Sequence, residues 1–278
     1  MKFAFLIGGE LRGVKKTVNN LYKYIIDYYN ADVFILCQKH FDDDEERLSL
    51  FDRNVVYSKL YNKPNPCEYL NNSNIYSPEK SWNKPGNLQI YINMNKFAKL
   101  LENYKDDYDY FIHFRPDIEI VFPFPEKYLF ENIPKSVYIF EADYCSHWGG
   151  LGIANFIHKD FVVSYFNSYY DIIIEKFDNS IFIENNIQYM TQEYLLLLAL
   201  KRKNIIMKPI KNINFYYTAE SINGRTSMSN IKYHSQYENV ICKYEEQVNE
   251  CYQNLELWKN HYNWSFDNNC IELCKHVK

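Results

Sequence analysis

The sequence predicts an α/β protein, a mostly parallel sheet flanked by helices with a helical C-terminal extension. Three observations predict it. Short apolar runs at 3–7, 32–36 and 108–114 have strand length and read as strands buried on both faces. Segments at 15–29 and 88–104 instead space their apolar residues as a helix does. The order strand, helix, strand at the very start of the chain is the unit from which parallel sheets are wound.

The elements follow in chain order. Residues 3–7 form the first strand and end at Gly8-Gly9. Val18, Leu21, Tyr22, Ile25, Ile26 and Tyr29 mark the first helix, and 32–36 the second strand. Ligands of such sheets bind beyond the carboxyl ends of the strands, which here means 8–13 and 37–39. The acidic run 42–46 opens a short helix, because carboxylates complement the helix dipole, and is a solvated helix start before it is a metal site. A third strand at 54–57 precedes a long Asn/Pro-rich connection, 61–86, of a length that is usually functional or disordered. Ile92, Phe97, Leu100 and Leu101 carry the next helix. The strand at 108–114 runs into Arg115-Pro116-Asp117-Ile118-Glu119, and the strand at 136–140 ends at Glu141-Ala142-Asp143. A short strand at 153–157, helices at 160–176 and 191–203, strands at 204–207 and 215–218, and a terminal helix at 237–258 complete the reading. No internal repeat or linker divides the chain, so we expect one domain over 1–235 and a C-terminal extension over 236–278.

Composition narrows the function classes. The 278 residues, 47% hydrophobic and 24% charged with net charge -4, exclude a disordered tail and a fibre and leave no basic surface for generic nucleic-acid binding. The N-terminal apolar run is too short for a signal sequence and no stretch is long enough to cross a membrane. Seven cysteines without a C-x-x-C pair read as reduced thiols in a cytosol-like compartment, or in a virion for a viral protein. His261, Cys270, Cys274 and His276 match no common zinc frame.

Glycine is scarce, 8 residues where an average share of about 7% would give roughly 19. Six of them fall in two runs, Gly8, Gly9, Gly13 and Gly149, Gly150, Gly152. Such runs mark positive φ or a close approach of backbone to a ligand, with plain turn chemistry as the alternative. The first run is neither G-x-G-x-x-G nor a P-loop, which disfavours dinucleotide oxidoreductases and P-loop NTPases. Its free amides and Arg12 nonetheless suit a diphosphate, since both donate to phosphate oxygens. In Arg115-Pro116-Asp117-Ile118-Glu119 the two carboxylates stand i, i+2. In an extended segment both would point the same way, toward one hard divalent ion such as Mg²⁺ or Mn²⁺. A salt-bridged strand end is the alternative.

The segments Phe5-Leu6-Ile7-Gly8-Gly9-Glu10-Leu11-Arg12, Asp32-Val33-Phe34-Ile35 and Tyr108-Asp109-Tyr110-Phe111-Ile112, the last leading into Arg115-Pro116-Asp117, resemble small nucleotide-sugar glycosyltransferases of the GT-A type. Viral and bacterial members are among these. Asp143, Trp148-Gly149-Gly150 and Thr191-Gln192-Glu193-Tyr194 resemble the acceptor half of such enzymes. The resemblance spans about 2–208 and implies a GT-A-like, Rossmann-type fold, with a nucleotide-binding half over 1–120 and an acceptor half over 121–235. It implies transfer of a sugar from a UDP-, GDP- or TDP-sugar to a glycan or other hydroxyl acceptor, assisted by Mn²⁺ or Mg²⁺. Asp117 would take the metal, with Glu119 and His234 as further ligands. Gly8, Gly9, Arg12, Arg115 and Trp148 would line the nucleotide site, and Asp143 or Glu193 would be the general base of a reaction that inverts the anomeric centre. Trp82, Tyr144 and Trp148 would stack on a base or a sugar face. A non-catalytic glycan- or partner-binding protein on the same fold is the competing expectation, and homo-oligomerisation stays open. A nucleotidyltransferase would need more than the one carboxylate pair.

Overall fold

The computed structural model describes residues 1–65, 85–120, 124–140, 154–171, 192–211, 215–217, 232–233, 241–242 and 265–266. Its centre is an eight-stranded sheet in the order β12-β8-β6-β7-β4-β1-β2-β3. The strands are β1 (Phe3–Gly9), β2 (Asp32–Gln38), β3 (Val55–Tyr61), β4 (Tyr110–Phe114), β6 (Val137–Phe140), β7 (Ala154–His158), β8 (Met207–Lys211) and β12 (Ser265–Phe266). β3, β2, β1 and β4 are mutually parallel. β7 enters antiparallel to β4 and β6, β8 pairs parallel with β6, and β12 closes that edge antiparallel. The sheet is therefore the mostly parallel one that the β-α-β start predicts.

Two faces of the sheet carry two cores. On one face Ala4, Leu6, Phe34 and Phe111 meet α4 (Pro85–Leu101), α5 (Lys159–Tyr170) and α6 (Gln192–Arg202) through Tyr91, Phe97, Phe166, Tyr169 and Leu196. On the other, Phe3, Phe5, Ile7, Val33 and Ile35 meet α1 (Val14–Leu21), its π-helical continuation Tyr22–Ile26 and α2 (Asp27–Tyr29). Alternation along β1 decides which side chain joins which core. The continuous apolar runs are what a strand covered by helices on both sides requires. Aromatic residues fill much of the second core, where Phe3, Tyr29, Phe130 and Phe156 lie edge-to-face or tilted at 4.6 to 6.4 Å between ring centres.

Several boundaries differ from the expected ones for local reasons. The strands at 32–36 and 54–57 extend to Gln38 and Tyr61, because each continues to pair with its neighbour beyond its apolar run. The acidic run becomes α3 (Asp44–Ser49), with Asp44, Glu45 and Glu46 in its first turn. Asp43 is paired to Arg47 at 2.7 Å and Lys15 at 2.8 Å, and these hydrogen bonds hold its carboxyl down to about 2. The strand expected at 204–207 begins only at Met207, where pairing with Val137 of β6 starts. β5 (Ile118–Ile120) pairs antiparallel with β9 (Phe215–Tyr217), and β10 (Lys232–Tyr233) pairs with β11 (Ile241–Cys242). Most of the terminal helix expected at 237–258 lies outside the described residues; within that span, Ile241–Cys242 is a strand. Most of the 61–86 connection and the second glycine run also lie outside them.

Gly8 is explained by packing. A Cβ built there would stand 2.6 Å from Cε2 of Phe97, whose ring seats α4 on β1. Gly8→Ala should therefore lower stability by about 1–3 kcal/mol in a denaturant titration. Phe97→Leu in the same chain should restore much of that loss, since the two changes share one contact.

Candidate functional site

β1 is the strand at which chain order reverses: β2 and β3 lie on one side of it and β4 on the other. In an open α/β sheet the crevice at such a switch point, beyond the carboxyl ends of the strands, is where ligands bind. Leu6 of β1 stands in register with His113 of β4, so both strands carry on to the same edge, where the Gly8–Gly13 and Arg115–Asp117 segments emerge. Gly9 has φ +86, a conformation that favours glycine, and among the described residues nothing lies within 4 Å of where its Cβ would be. Gly13 has φ 66 and forms the N-cap of α1, and its carbonyl accepts from the Lys16 amide at 2.8 Å. Within the first glycine run Gly8 serves packing, which was not among the expected roles, while Gly9 takes the positive φ expected of such a run.

Arg12 and Arg115 are both half-exposed here, with 43% and 42% of their side chains accessible. Arg12 Nε lies 3.4 Å from Glu10 Oε2. Arg115 grips Asp117 in a two-pronged pair, Nε to Oδ1 at 3.0 Å and Nη2 to Oδ2 at 2.7 Å. Asp117 is in a turn, and the extended segment starts only at Ile118. The alternation that would aim Asp117 and Glu119 together therefore does not apply. The Asp117 side chain is only 6% exposed, and both of its oxygens accept from a guanidinium. Among the described residues no three His, Cys, Asp or Glu side chains come together as a metal would require. The described residues by themselves do not fit a divalent ion. His234, Asp143 and Trp148 lie outside the described residues; Glu119 is on β5 and Glu193 on α6, with side chains outside them.

The Arg115–Asp117 turn is tied to α1. Thr17 Oγ1 donates to the Pro116 carbonyl. Asn20 reads the backbone of Ile120 from both sides, its Nδ2 donating to the carbonyl and its Oδ1 accepting from the amide, each at 2.8 Å. The helix that follows the first glycine run thus holds the second charged segment in place.

A polar network, not foreseen as such from the sequence, occupies the neighbouring edge at β2. Glu10 Oε1 accepts from Gln38 Nε2 at 2.8 Å and faces His40 Nδ1 at 3.2 Å. Gln38 Oε1 accepts from Asn93, and Asn93 Oδ1 accepts from Tyr61 at 2.6 Å and Gln89 at 3.1 Å. The one available signal was Gln89 and Asn93, polar at i, i+4 and interleaved with the apolar Ile90, Tyr91, Ile92 and Met94. Cys37 beneath the network is buried, and burial, with Asp44 and Glu10 nearby, pushes its thiol up, so it is no nucleophile.

No protein-family model and no curated protein sequence matches the chain. The chain is similar in outline to the crystal structure of core-mannan synthase A from Aspergillus fumigatus in its Mn/GDP form, with TM-score 0.44 and 10% identity over 72% of this chain and 69% of that one. It is likewise similar to mouse xyloside xylosyltransferase 1 in its apo form, with TM-score 0.43 and 6% identity over 75% of this chain and 84% of that one. Among the described residues no helix is long and apolar enough to cross a membrane.

His113 gives the folding stability a pH dependence. Its Nδ1 is buried and finds no hydrogen-bond partner among the described residues, and burial, then the charge of Arg115, lowers its pKa from 6.5 to about 4. The unfolded chain therefore takes up the proton first as pH falls, and stability is lost between about pH 6.5 and 4, with no effect above that window. Thermal midpoints measured across this range should fall, and His113→Gln should flatten the decline.

Proposed function

We propose that the chain is a glycosyltransferase that moves a sugar from a nucleotide-diphosphate sugar to the hydroxyl of a glycan or other acceptor. The observation that supports it best is that Gly9, ending β1, and Arg115, just beyond the paired strand β4, emerge at the switch point, with Arg12 three residues past Gly9 and half-exposed. Open backbone at a turn and two guanidinium groups are chemistry for a diphosphate. The resemblance in the Gly8–Arg12 and Arg115-Pro116-Asp117 segments points the same way.

In this reading Arg12 and Arg115 meet the diphosphate as the bond from sugar to phosphate oxygen breaks. The acceptor oxygen forms the new bond to the sugar, and its proton passes to a carboxylate, Asp143 or Glu193. Mn²⁺ or Mg²⁺ at Asp117, with Glu119 and His234, would require Asp117 to exchange its arginine for the ion. Phe97 filling the space at Gly8 favours, on that side, a second reading: a non-catalytic glycan- or partner-binding protein on the same fold. Turnover separates the two.

The test is a thermal-shift and isothermal titration series with UDP, GDP and TDP, with and without Mn²⁺, followed by a donor screen read by released nucleotide diphosphate. At least one nucleotide should stabilise the protein. Arg12→Ala should weaken its binding about tenfold, the loss of one charge-assisted hydrogen bond. Absence of stabilisation by every nucleotide, in either buffer, would remove the proposal.

A further inference from the structure

Asp117 stands where the resemblance in the sequence puts a metal ligand, and its surroundings speak for another role. Its side chain is 6% exposed and both oxygens accept from Arg115, Oδ1 from Nε at 3.0 Å and Oδ2 from Nη2 at 2.7 Å. A divalent ion on those oxygens would need the two places that the guanidinium fills, and would lie close to a like charge. The turn is also held against swinging the carboxylate outward. On one side of Asp117 the Pro116 carbonyl accepts from Thr17 Oγ1. On the other, Asn20 holds the amide and the carbonyl of Ile120, each at 2.8 Å. Ile118 and Ile120 are buried in the core shared with α1. Asp117 is thus clamped through α1 from both sides, whereas Arg115 keeps 42% of its side chain accessible.

We propose that Arg115 takes the place of the divalent ion at this site, so that the nucleotide diphosphate binds without metal, and that Asp117 is the positioning residue that holds the guanidinium. The proposal rests on the nucleotide-sugar reading above and narrows it. Arg115 lies two residues beyond His113 and Gly9 three beyond Leu6, the last pair of β1 and β4 in register, so both leave the sheet at one edge. An arginine supplies a fixed positive charge and directional donors to phosphate oxygens, which is what binding a diphosphate asks of a cation. A guanidinium already held along one edge by a carboxylate has its plane and direction set. Less side-chain freedom is then lost when a phosphate oxygen accepts from it.

The test measures dissociation constants of UDP, GDP, uridine and guanosine on the full chain, in EDTA and in Mn²⁺. The unaltered protein should bind its nucleotide diphosphate as tightly in EDTA as with Mn²⁺. Asp117→Asn keeps the size of the side chain and removes its charge, and should cut the preference for the diphosphate over its nucleoside about tenfold in both buffers, the loss expected when a charge-assisted hydrogen bond is misplaced. That preference is a ratio within one variant, so a general loss of stability cancels. Should Asp117→Asn not fold, the double change Arg115→Gln with Asp117→Asn puts a neutral amide pair in place of the buried ion pair and should lose the preference likewise. The comparison of buffers needs no variant at all. Tighter binding with Mn²⁺ than in EDTA, or a preference that these changes leave intact in EDTA, overturns this proposal and leaves the nucleotide-sugar reading standing. Failure of every nucleotide to bind in either buffer overturns both.

Discussion

The parallel pairing of β1 with β2 on one side and β4 on the other is the constraint from which the rest of the structure follows. A strand hydrogen-bonded along both edges and covered on both faces can carry almost nothing polar, and Phe3 to Ile7 are all fully buried. The same pairing brings the carboxyl ends of three strands to one edge. Polar chemistry excluded from the strand itself gathers there, in Glu10, Arg12, Gln38, His40 and the Arg115–Asp117 turn.

That edge divides by charge character. Toward β4 it offers open backbone at Gly9 and the guanidinium of Arg115, steadied by a carboxylate that is itself buried. A buried carboxylate without a partner would be strongly destabilising, so the pair with Arg115 is a structural necessity as well as a placed donor. Toward β2 it carries the polar cluster of Glu10, Gln38 and His40. α1 links the two regions, beginning at the Gly13 cap and reaching through Thr17 and Asn20 to the segment after β4. Helix and site are thus one mechanical unit, and a shift of α1 would move both.

The fold was largely legible because its signals are local. Apolar runs bounded by charge mark β1, β2 and β4, and the helical spacing at 15–29 and 88–104 marks the layers that cover them. Where pairing continues past the apolar run, as at Gln38 and Tyr61, the boundary was not legible, since the partner strand rather than the side chain sustains the element. In the described core, rings such as Phe3, Tyr29 and Phe156 pack against one another. For the site, the glycine run and both arginines were visible as motifs. The Glu10–Gln38–Asn93 network was not, because its members lie 28 and 55 residues apart and meet only when β1, β2 and α4 pack.

The sequence by itself determined the parallel α/β class, the turn at Gly8–Gly13 and the presence of a charged segment after β4, all consequences of residue type and spacing within short stretches. Tertiary structure decided what those residues do. It gave Gly8 to the Phe97 ring and left Gly9 open, and it set Asp117 against Arg115. It also set His40 beside a carboxylate from the neighbouring strand's loop. Each of those outcomes depends on which group lies across a packed interface, and a partner's distance and direction exist only once the strands have been brought into register.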